Sequence, residues 1–358
     1  MFQDGAIVVP QNRLTLLQEG AAILSGNIRP GHSIALSLNA DIPLHAVSIF
    51  QKTLASAKGN MTASAQIQGS WNHPNMEAMV DIRQAGLPLY ATTQEIHDVN
   101  GQIRITPHSI AVDHFNGRLD NGRFQMTGKA ILNAWQIHDM NFHLTGTSLP
   151  VSVPDTLDMR LNTDLTLQGN LQSAAIQGNI VLVEGSYYRN VDMNPLKALM
   201  TRDRSFQTQS DIVFPTAIQN TRLDIRIPPQ HQFIWDNNLA QLHLSPDMRI
   251  TGTLQHPVVL GRTRIDSGTL QYQSNTFTVK RGFIDFTNLY ALDTVLDIQS
   301  QAAIRNWTVF LDVSGPVNQL NLKLSSSPFL DDNDLLSLLI MGKTARTSLS
   351  STGQPKRC

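Results

Sequence analysis

The sequence predicts an all-β protein made of one long, curled and repetitive sheet with few short helices. Many segments alternate apolar and polar residues, which is typical of strands wetted on one face; 157–161, 296–298 and 309–313 are clear examples. Charged residues make up only 15% of the chain, below the ~25% of ordinary globular proteins. We therefore expect roughly twenty to twenty-five short strands whose outer face is polar but mostly neutral.

A repeated phrase indicates that the sheet grows by addition of similar strand groups. The segment TLQGNLQSAAIQGNIVLVEGSYY from Thr166 resembles ITGTLQHPVVLGRTRIDSGTLQY from Ile250, and a constant offset of 83 positions aligns Gly178 with Gly261. A weaker copy begins at Gln66. Such internal repeats are typical of architectures that extend along one axis.

The pattern divides the chain into four segments. Residues 1–150 are predicted to be a repetitive sheet segment with a short helix near 43–54, and 151–328 a second sheet domain. A short apolar helix is expected within 329–342, and 343–358 are expected to form a disordered tail. A single helical turn is a further candidate in PLKALM, Pro195 to Met200, within a looser segment that runs to Phe214.

The phrase NQLNLKLSSSPFLDDNDLLSLLIMG at 318–342 predicts a strand followed by a helix. Pro328 should end the strand because it has no N–H to donate. Asp331 or Asp332 can cap the first helical turn, and Gly342 stands where a left-handed residue would stop the helix. The apolar part of this helix is far shorter than the ~20 residues that cross a bilayer, so it is predicted to be a docking helix or a plug.

Two arrangements of such a sheet remain open. A long sheet twists and must curl, either closing into a sandwich whose core is filled or leaving an open trough with an apolar channel. Water disfavours such a channel at ~25 cal/mol per Å², and an acyl chain would fill it. The predicted lining consists of the inward positions of the clearest strands, namely Leu223, Ile225, Ile227, Leu270, Tyr272, Phe277, Val279, Ile284, Phe286, Leu296, Ile298, Val309, Leu311, Val313, Leu320, Leu322 and Leu324.

Several classes of function find little support in the composition. The formal charge is −1 from 27 basic and 28 acidic residues, without a basic block that would neutralise a run of phosphates, so we expect no nucleic-acid partner. The single cysteine, Cys358, cannot form an intrachain disulfide. The eleven histidines are scattered without the spacing of a metal site, and no cofactor is expected.

Two short motifs imitate catalytic ones. Asp266 to Thr269 reads DSGT, as in aspartic proteases, but a second copy of the carboxylate is missing and the repeat explains the glycine. Gly342-Lys343-Thr344 imitates the end of a phosphate-binding loop, yet position 337 is serine where that loop needs glycine. We therefore expect a protein that is not an enzyme, with a hydrolase retained only through the DSG phrase.

The beginning of the sequence, MFQDGAIVVPQNRL, has neither the basic region nor the apolar stretch of a signal peptide. No segment offers the 18 or more consecutive apolar residues of a membrane span. We expect either a cytosolic chain or a piece whose export signal or anchor lies elsewhere in a longer parent.

Four ordered phrases carry a family resemblance. They are FIWDNNLAQLHLSPDMRITGTLQHPVVLGRTRIDSGTL, FTVKRGFIDF, the segment LDIQSQAAIRNWTVFLDVSGPVNQLNLKLSS and SPFLDDNDLLSLLIMG. In this order they resemble the C-terminal conserved domain of the TamB family, within the wider AsmA-like group. The resemblance is dense from about residue 157 to 342, and looser upstream.

The resemblance implies a taco-like open groove with an apolar interior that lies in the periplasm and is tethered to the inner membrane. It further implies an outer-membrane barrel partner of the Omp85 type. The implied roles are assembly of autotransporters and other outer-membrane proteins, and phospholipid transport between the membranes, so the implied occupants are acyl chains or nascent outer-membrane strands. The alternative is a structural β-solenoid or adhesin-like sandwich with a closed core.

Overall fold

A computed structural model describes residues 2–3, 6–16, 20–49, 56–88, 94–190, 216–286 and 294–341 of the 358-residue chain. Within these residues twenty strands join in one sheet. Two short α-helices and two 3-10 helices accompany it. The predicted all-β fold is therefore confirmed.

The first twelve strands fill the N-terminal half of the described chain. They are β1 (Phe2–Gln3), β2 (Ala6–Leu16), β3 (Gly20–Arg29), β4 (Ser33–Pro43), β5 (Lys58–Ser70), β6 (His73–Pro88), β7 (Glu95–Thr106), β8 (Ser109–Leu119), β9 (Gly122–Asn133), β10 (Gln136–Val153), β11 (Leu157–Gly169) and β12 (Ala175–Tyr187). The first 3-10 helix, Leu44–Ile49, lies between β4 and β5.

The remaining elements complete the sheet and end in a helix. They are α1 (Thr216–Gln219), β13 (Arg222–Ile227), β14 (Phe233–Asp236), β15 (Ala240–Gly252), β16 (Pro257–Tyr272), β17 (Asn275–Phe286), β18 (Thr294–Ile304), β19 (Trp307–Pro316), a 3-10 helix (Val317–Gln319), β20 (Asn321–Ser327) and α2 (Asp332–Met341).

Strands that follow one another along the chain lie side by side in the sheet, and almost all pairs are antiparallel. The exception is β12, which pairs in parallel with both β13 and β14. Both strands also pair with β15, so β13 and β14 lie end to end between β12 and β15. Nineteen strand positions at about 4.8 Å each extend the sheet for roughly 90 Å.

The two faces of this sheet differ in chemistry. Directly opposed residues of neighbouring strands present their side chains on the same face, so the pairing register traces rows across the sheet. One row crosses twelve strands without a polar residue: Ile42, Met61, Ile82, Gly101, Phe115, Met126, Leu144, Leu165, Gly178, Ile225, Ile250 and Val259.

A second row runs parallel to the first over eleven strands. It consists of Ala22, Ala40, Ala63, Val80, Ile103, Val112, Gly128, Phe142, Leu167, Ile176 and Leu223. We call the side of the sheet that carries both rows the apolar face, and the opposite side the polar face.

The sequence repeat coincides with two equivalent hairpins, β11–β12 and β15–β16. Gly178 and Gly261 occupy the same place in them, with φ of +143° and +137°. A Cβ atom at Gly178 would lie 2.0 Å from the carbonyl oxygen of Asp164, and one at Gly261 would lie 2.3 Å from that of Asp247. Each position therefore requires glycine because the neighbouring backbone approaches too closely for a side chain.

The structure of residues 318–342 differs from the prediction at the start of the strand. β20 ends at Ser327, directly before Pro328, as the missing proline N–H predicts. Leu320, however, lies outside the strand, because the 3-10 helix takes up the residues after Pro316 and pairing with β19 begins only at Asn321. Leu320 is consequently exposed rather than inward-facing.

The predicted helices are found in part. The helix predicted near 43–54 is a 3-10 helix over Leu44–Ile49, and the rest of that range lies outside the described residues except for its first residue, Pro43, which ends β4. The turn at PLKALM and the tail at 343–358 are also outside them. In the predicted range 329–342, α2 occupies Asp332–Met341. The division into 1–150 and 151–328 stays a prediction.

Candidate ligand-binding face

The apolar face is only half-buried over most of its length. Among the non-glycine residues of the twelve-strand row, Ile225 is buried with 7% of its surface exposed, while the others are of intermediate exposure. Leu38, which lies opposite Leu24 and Ala65 on the same face, is 37% exposed. A sandwich core would bury such side chains, so this part of the face, from β3 to β13, keeps apolar surface in contact with solvent. We call it the open part.

The apolar face becomes a closed core at its C-terminal end. Phe277 and Val309 have no exposed surface, and Leu311 has 2%. Leu335 and Leu338 of α2 are packed into the same cluster with 2% and 1% exposure. Large side chains from β15–β19 and from the helix therefore fill this end completely.

Polar contacts hold α2 on this closed core. Asp331 is its N-cap: its Oδ1 accepts a hydrogen bond from the Asp334 backbone N–H at 2.9 Å, and its carbonyl oxygen accepts one from the Leu335 N–H at 2.9 Å. Near the other end of the helix, the Asn275 Nδ2 donates to the Leu339 carbonyl at 2.8 Å. Capping and side-chain bonds thus satisfy groups at both helix ends that have no partner within the helix.

The lining residues predicted from the sequence fall into three groups. Those inside the closed core or packed against it are Leu270, Tyr272, Phe277, Val279, Ile284, Phe286, Leu296, Ile298, Val309, Leu311, Val313 and Leu324. Leu223, Ile225 and Ile227 lie on β13 in the open part. Leu320 and Leu322, at the end of the sheet, are 41% and 47% exposed. Whether any of them contacts a ligand stays a prediction.

Sequence reasoning missed most of the open part. Its strands carry alanine and glycine among the apolar positions, as at Ala40, Ala63 and Gly128, and these residues make the alternation weak. The signal that could have found them is the period of two itself, counted with alanine as apolar, as in Met61, Ala63, Ala65 and Ile67 of β5.

The polar face carries ion pairs between neighbouring strands. Arg249 binds Asp224 through two bonds of 2.6 and 2.7 Å, and Arg262 binds Asp285 through bonds of 2.6 and 2.9 Å. The hydrogen bond from Arg249 lowers the pKa of Asp224, although partial burial acts in the opposite direction. Exposed pairs of this kind contribute little stability each, but they match opposite charges across the register.

The DSG phrase is part of this polar face. Partial burial acts to raise the pKa of Asp266. Hydrogen bonds from Ser245 and Arg264 act in the opposite direction and outweigh it, so the pKa is lowered overall. A protease dyad instead needs a carboxylate that shares a proton with a second one. The Gly342-Lys343-Thr344 phrase lies outside the described residues, and within the described ranges no group of His, Cys, Asp and Glu side chains is placed to hold a metal ion.

Fold and face together define a protein class: an all-β protein with one long meandering sheet, one apolar face and a short C-terminal helix that closes its end. No helix in the described part of the chain is long and apolar enough to cross a membrane. Residues 113–355 match the TamB C-terminal domain family. This match covers more than half of the chain, which therefore belongs to the TamB family, whose members act in outer-membrane assembly. The family is not known for enzymatic activity, and no curated protein matches the chain.

Proposed function

We propose that this chain is a non-enzymatic, periplasmic TamB-type groove whose open part shields acyl chains or nascent outer-membrane strands between the two membranes. The observation that carries the proposal is the pair of apolar rows that cross eleven and twelve strands while most of their residues remain half-buried. Soluble proteins rarely leave contiguous apolar patches of this extent uncovered, and such patches usually mark a binding surface.

The rows explain how an apolar client would be carried. Each contact between the client and a residue of the rows removes apolar surface of both from water. This burial is favourable by about 25 cal/mol per Å². Because equivalent contacts recur from strand to strand, a client can exchange one set for the next without passing through water. Ion pairs and neutral polar residues on the opposite face keep that side wetted.

We place the parent protein at the inner membrane, with an outer-membrane barrel of the Omp85 type as partner. Within that arrangement the clients would be phospholipids moving between the membranes, autotransporters and other outer-membrane proteins, or both. Family membership supports the role in outer-membrane assembly, and the open apolar face supports an apolar client.

A structural role with a closed core is the second candidate. The core beneath α2 favours it, because Phe277 and Val309 are already fully enclosed by protein. It predicts that the half-buried rows contact no client at all.

Photo-crosslinking distinguishes these two functions. A photoreactive amino acid at Leu165, on the apolar face of β11, should capture phospholipid or an outer-membrane protein in the cell envelope. The same amino acid at Thr166, the next residue on the polar face, is the matched control and should capture neither. Mass spectrometry of the crosslinked and co-purifying material identifies the client. Equal crosslinking at both positions, or none at Leu165, would refute the groove.

Charge substitution gives a functional test on the same strand. Leu165→Asp should abolish envelope function, since a carboxylate interrupts the row, while Thr166→Asp should preserve it. Circular dichroism checks that both variants fold. Leu311 is unsuitable for this purpose, because its enclosure in the closed core means that a charge there would unfold the C-terminal end.

A further inference from the structure

Two arginines face each other on the polar face, near the turn that joins two strands in the middle of the sheet. Arg118 of β8 and Arg123 of β9 are direct cross-strand partners, one pair away from the hairpin turn. Both side chains are exposed. Like charges directly opposite each other destabilise a sheet, so an anion between them would relieve a repulsion that the fold leaves in place.

A second arginine pair shows how the same sheet resolves this repulsion elsewhere. Arg226 and Arg249 are also direct cross-strand partners. There, Asp224 lies two residues before Arg226 and binds the diagonal Arg249 through both carboxylate oxygens, at 2.6 and 2.7 Å. An acidic residue at this diagonal position therefore neutralises an arginine pair.

At the first pair the equivalent position is neutral. Asn116 lies two residues before Arg118 and is diagonal to Arg123, as Asp224 is to Arg249. Gln125, opposite Asn116, is neutral as well. Within the described part of the chain, neither arginine side chain forms a hydrogen bond or an ion pair. The fold thus repeats the geometry of the neutralised pair without its carboxylate.

The arginines line a surface depression that could admit a small anion. Its volume is about 460 Å³. Asn116, Gln125, Thr145 and Thr147 also line it, and none of these four side chains has a hydrogen-bond partner among the described residues.

The acidic side chain at the margin of this depression bonds to a histidine and to neither arginine. Asp98 contributes to the lining, but its Oδ2 lies 3.0 Å from the His97 Nδ1. Asn100, its neighbour in the lining, donates from its Nδ2 to the Asp98 carbonyl at 2.8 Å and accepts from the Gln84 N–H at 3.1 Å. The uncommitted donors are therefore those around the two arginines.

We propose that Arg118 and Arg123 bind a phosphate group, with Asn116, Gln125 and the two threonines as neutral hydrogen-bond donors. Guanidinium groups match the geometry of phosphate oxygens, to which they donate two parallel hydrogen bonds each. The phosphate belongs either to a phospholipid headgroup or to a free phosphate ion. The headgroup source rests on the proposed function: the arginines lie one pair from the β8–β9 turn, so a lipid bound there would pass its acyl chains around this edge of the sheet to reach the apolar face. Binding of a free phosphate ion does not rest on it.

Phosphate binding is measured first, with inorganic phosphate at constant ionic strength and chloride as the reference anion. Calorimetry should detect phosphate on the wild-type chain and an affinity about tenfold to a hundredfold lower for Arg118→Gln or Arg123→Gln, as expected for loss of a charged hydrogen-bond partner. Arg104→Gln is the matched control, because Arg104 is already bound to Asp113 at 2.9 Å on the same face; it should leave the affinity unchanged.

The sharpest variant restores the missing carboxylate. Asn116→Asp copies the Asp224 arrangement, so it should abolish phosphate binding and raise the thermal midpoint measured without phosphate. A wild-type phosphate affinity in Asn116→Asp would overturn the proposal, as would an unchanged affinity in Arg118→Gln. Because Asn116→Asp should become more stable, its loss of binding cannot be assigned to misfolding.

Vesicle flotation separates the two sources of phosphate. If vesicles of phosphatidylglycerol bind the wild type better than Arg118→Gln, while phosphatidylcholine vesicles bind neither, the headgroup of an anionic lipid is the ligand. Phosphate binding without vesicle binding supports the free ion, and absence of both overturns the site. Crosslinking of lipid at Leu165 in the Arg118→Gln background tests the groove separately, because the apolar face should work without the arginines.

Discussion

Leu338 of α2 offers the clearest energetic test of the closed C-terminal end. Its side chain is 1% exposed within the core cluster, so Leu338→Ala removes packed methyl groups and leaves a cavity, at a cost of about 2–5 kcal/mol. Leu336, on the same helix, is 41% exposed, and Leu336→Ala should cost less than about 1 kcal/mol. The two variants change the same residue type in one helix and differ only in what surrounds it.

The loss at Leu338 should appear first as local opening of α2. A helix of ten residues is marginal in water on its own, so its contacts with the sheet supply most of its stability. A loss of 2 kcal/mol would increase the opened fraction roughly thirtyfold. Amide hydrogen exchange across Asp332–Met341 measures that fraction, and urea unfolding followed through Trp307, which packs against the core, measures the global change. Equal losses in the two variants would refute the packing of α2 described above.

Three further outcomes follow from single contacts. Gly178→Ala should destabilise the chain by about 1–3 kcal/mol from backbone strain alone, and by more because its Cβ would meet the Asp164 carbonyl oxygen; an unchanged thermal midpoint would contradict the close approach. The lowered pKa of Asp224 means that its pairing with Arg249 stabilises the fold above the ordinary value of 3.8 and that this contribution is lost as the pH falls below it; the difference in midpoint between wild type and Asp224→Asn should therefore shrink on acidification, and a constant difference would count against the pair. Asp331→Ala should weaken α2 by about 1 kcal/mol through loss of the N-cap, and hydrogen exchange confined to the helix's first turn would show it.

Alternation predicts strands well because the period of two arises within each strand. The strand before Pro328 and the helix that Asp331 caps follow from similarly local chemistry, since a missing N–H and a capping carboxylate act on adjacent residues. Local rules fail at Leu320, where the 3-10 helix at Val317–Gln319 delays the start of β20. That displacement depends on how the chain turns back onto β19 and leaves the alternation itself intact.

Features of the site that depend on contacts between distant parts of the chain cannot be predicted from such local rules. Whether Leu311 faces an open channel or a helix depends on where α2 docks, and the alternation is the same in both cases. The turn between Leu119 and Gly122 sets the pairing of Arg118 with Arg123, but the face that carries them depends on the irregularity between Val112 and Phe115 of β8. A one-residue change of register moves every side chain of a strand to the other face, so strict alternation from Val112 would have placed Arg118 on the apolar face.

Side-chain size along the apolar face agrees with what covers each part of it. Beneath α2 most residues of the face are large, such as Phe277 and Leu311, with the smaller Ala240 and Ala302 beside them. In the open part, alanines such as Ala40 and Ala63 alternate with larger residues, and the helix that contacts β4 and β5 there is the short 3-10 helix Leu44–Ile49. Alanine leaves less apolar surface exposed between clients than leucine would, so small residues lower the cost of keeping a surface uncovered. If the chain's own side chains had to fill the space over this face, small residues would offer no advantage there. Their presence therefore favours a client that binds and leaves, rather than a core that is permanently closed.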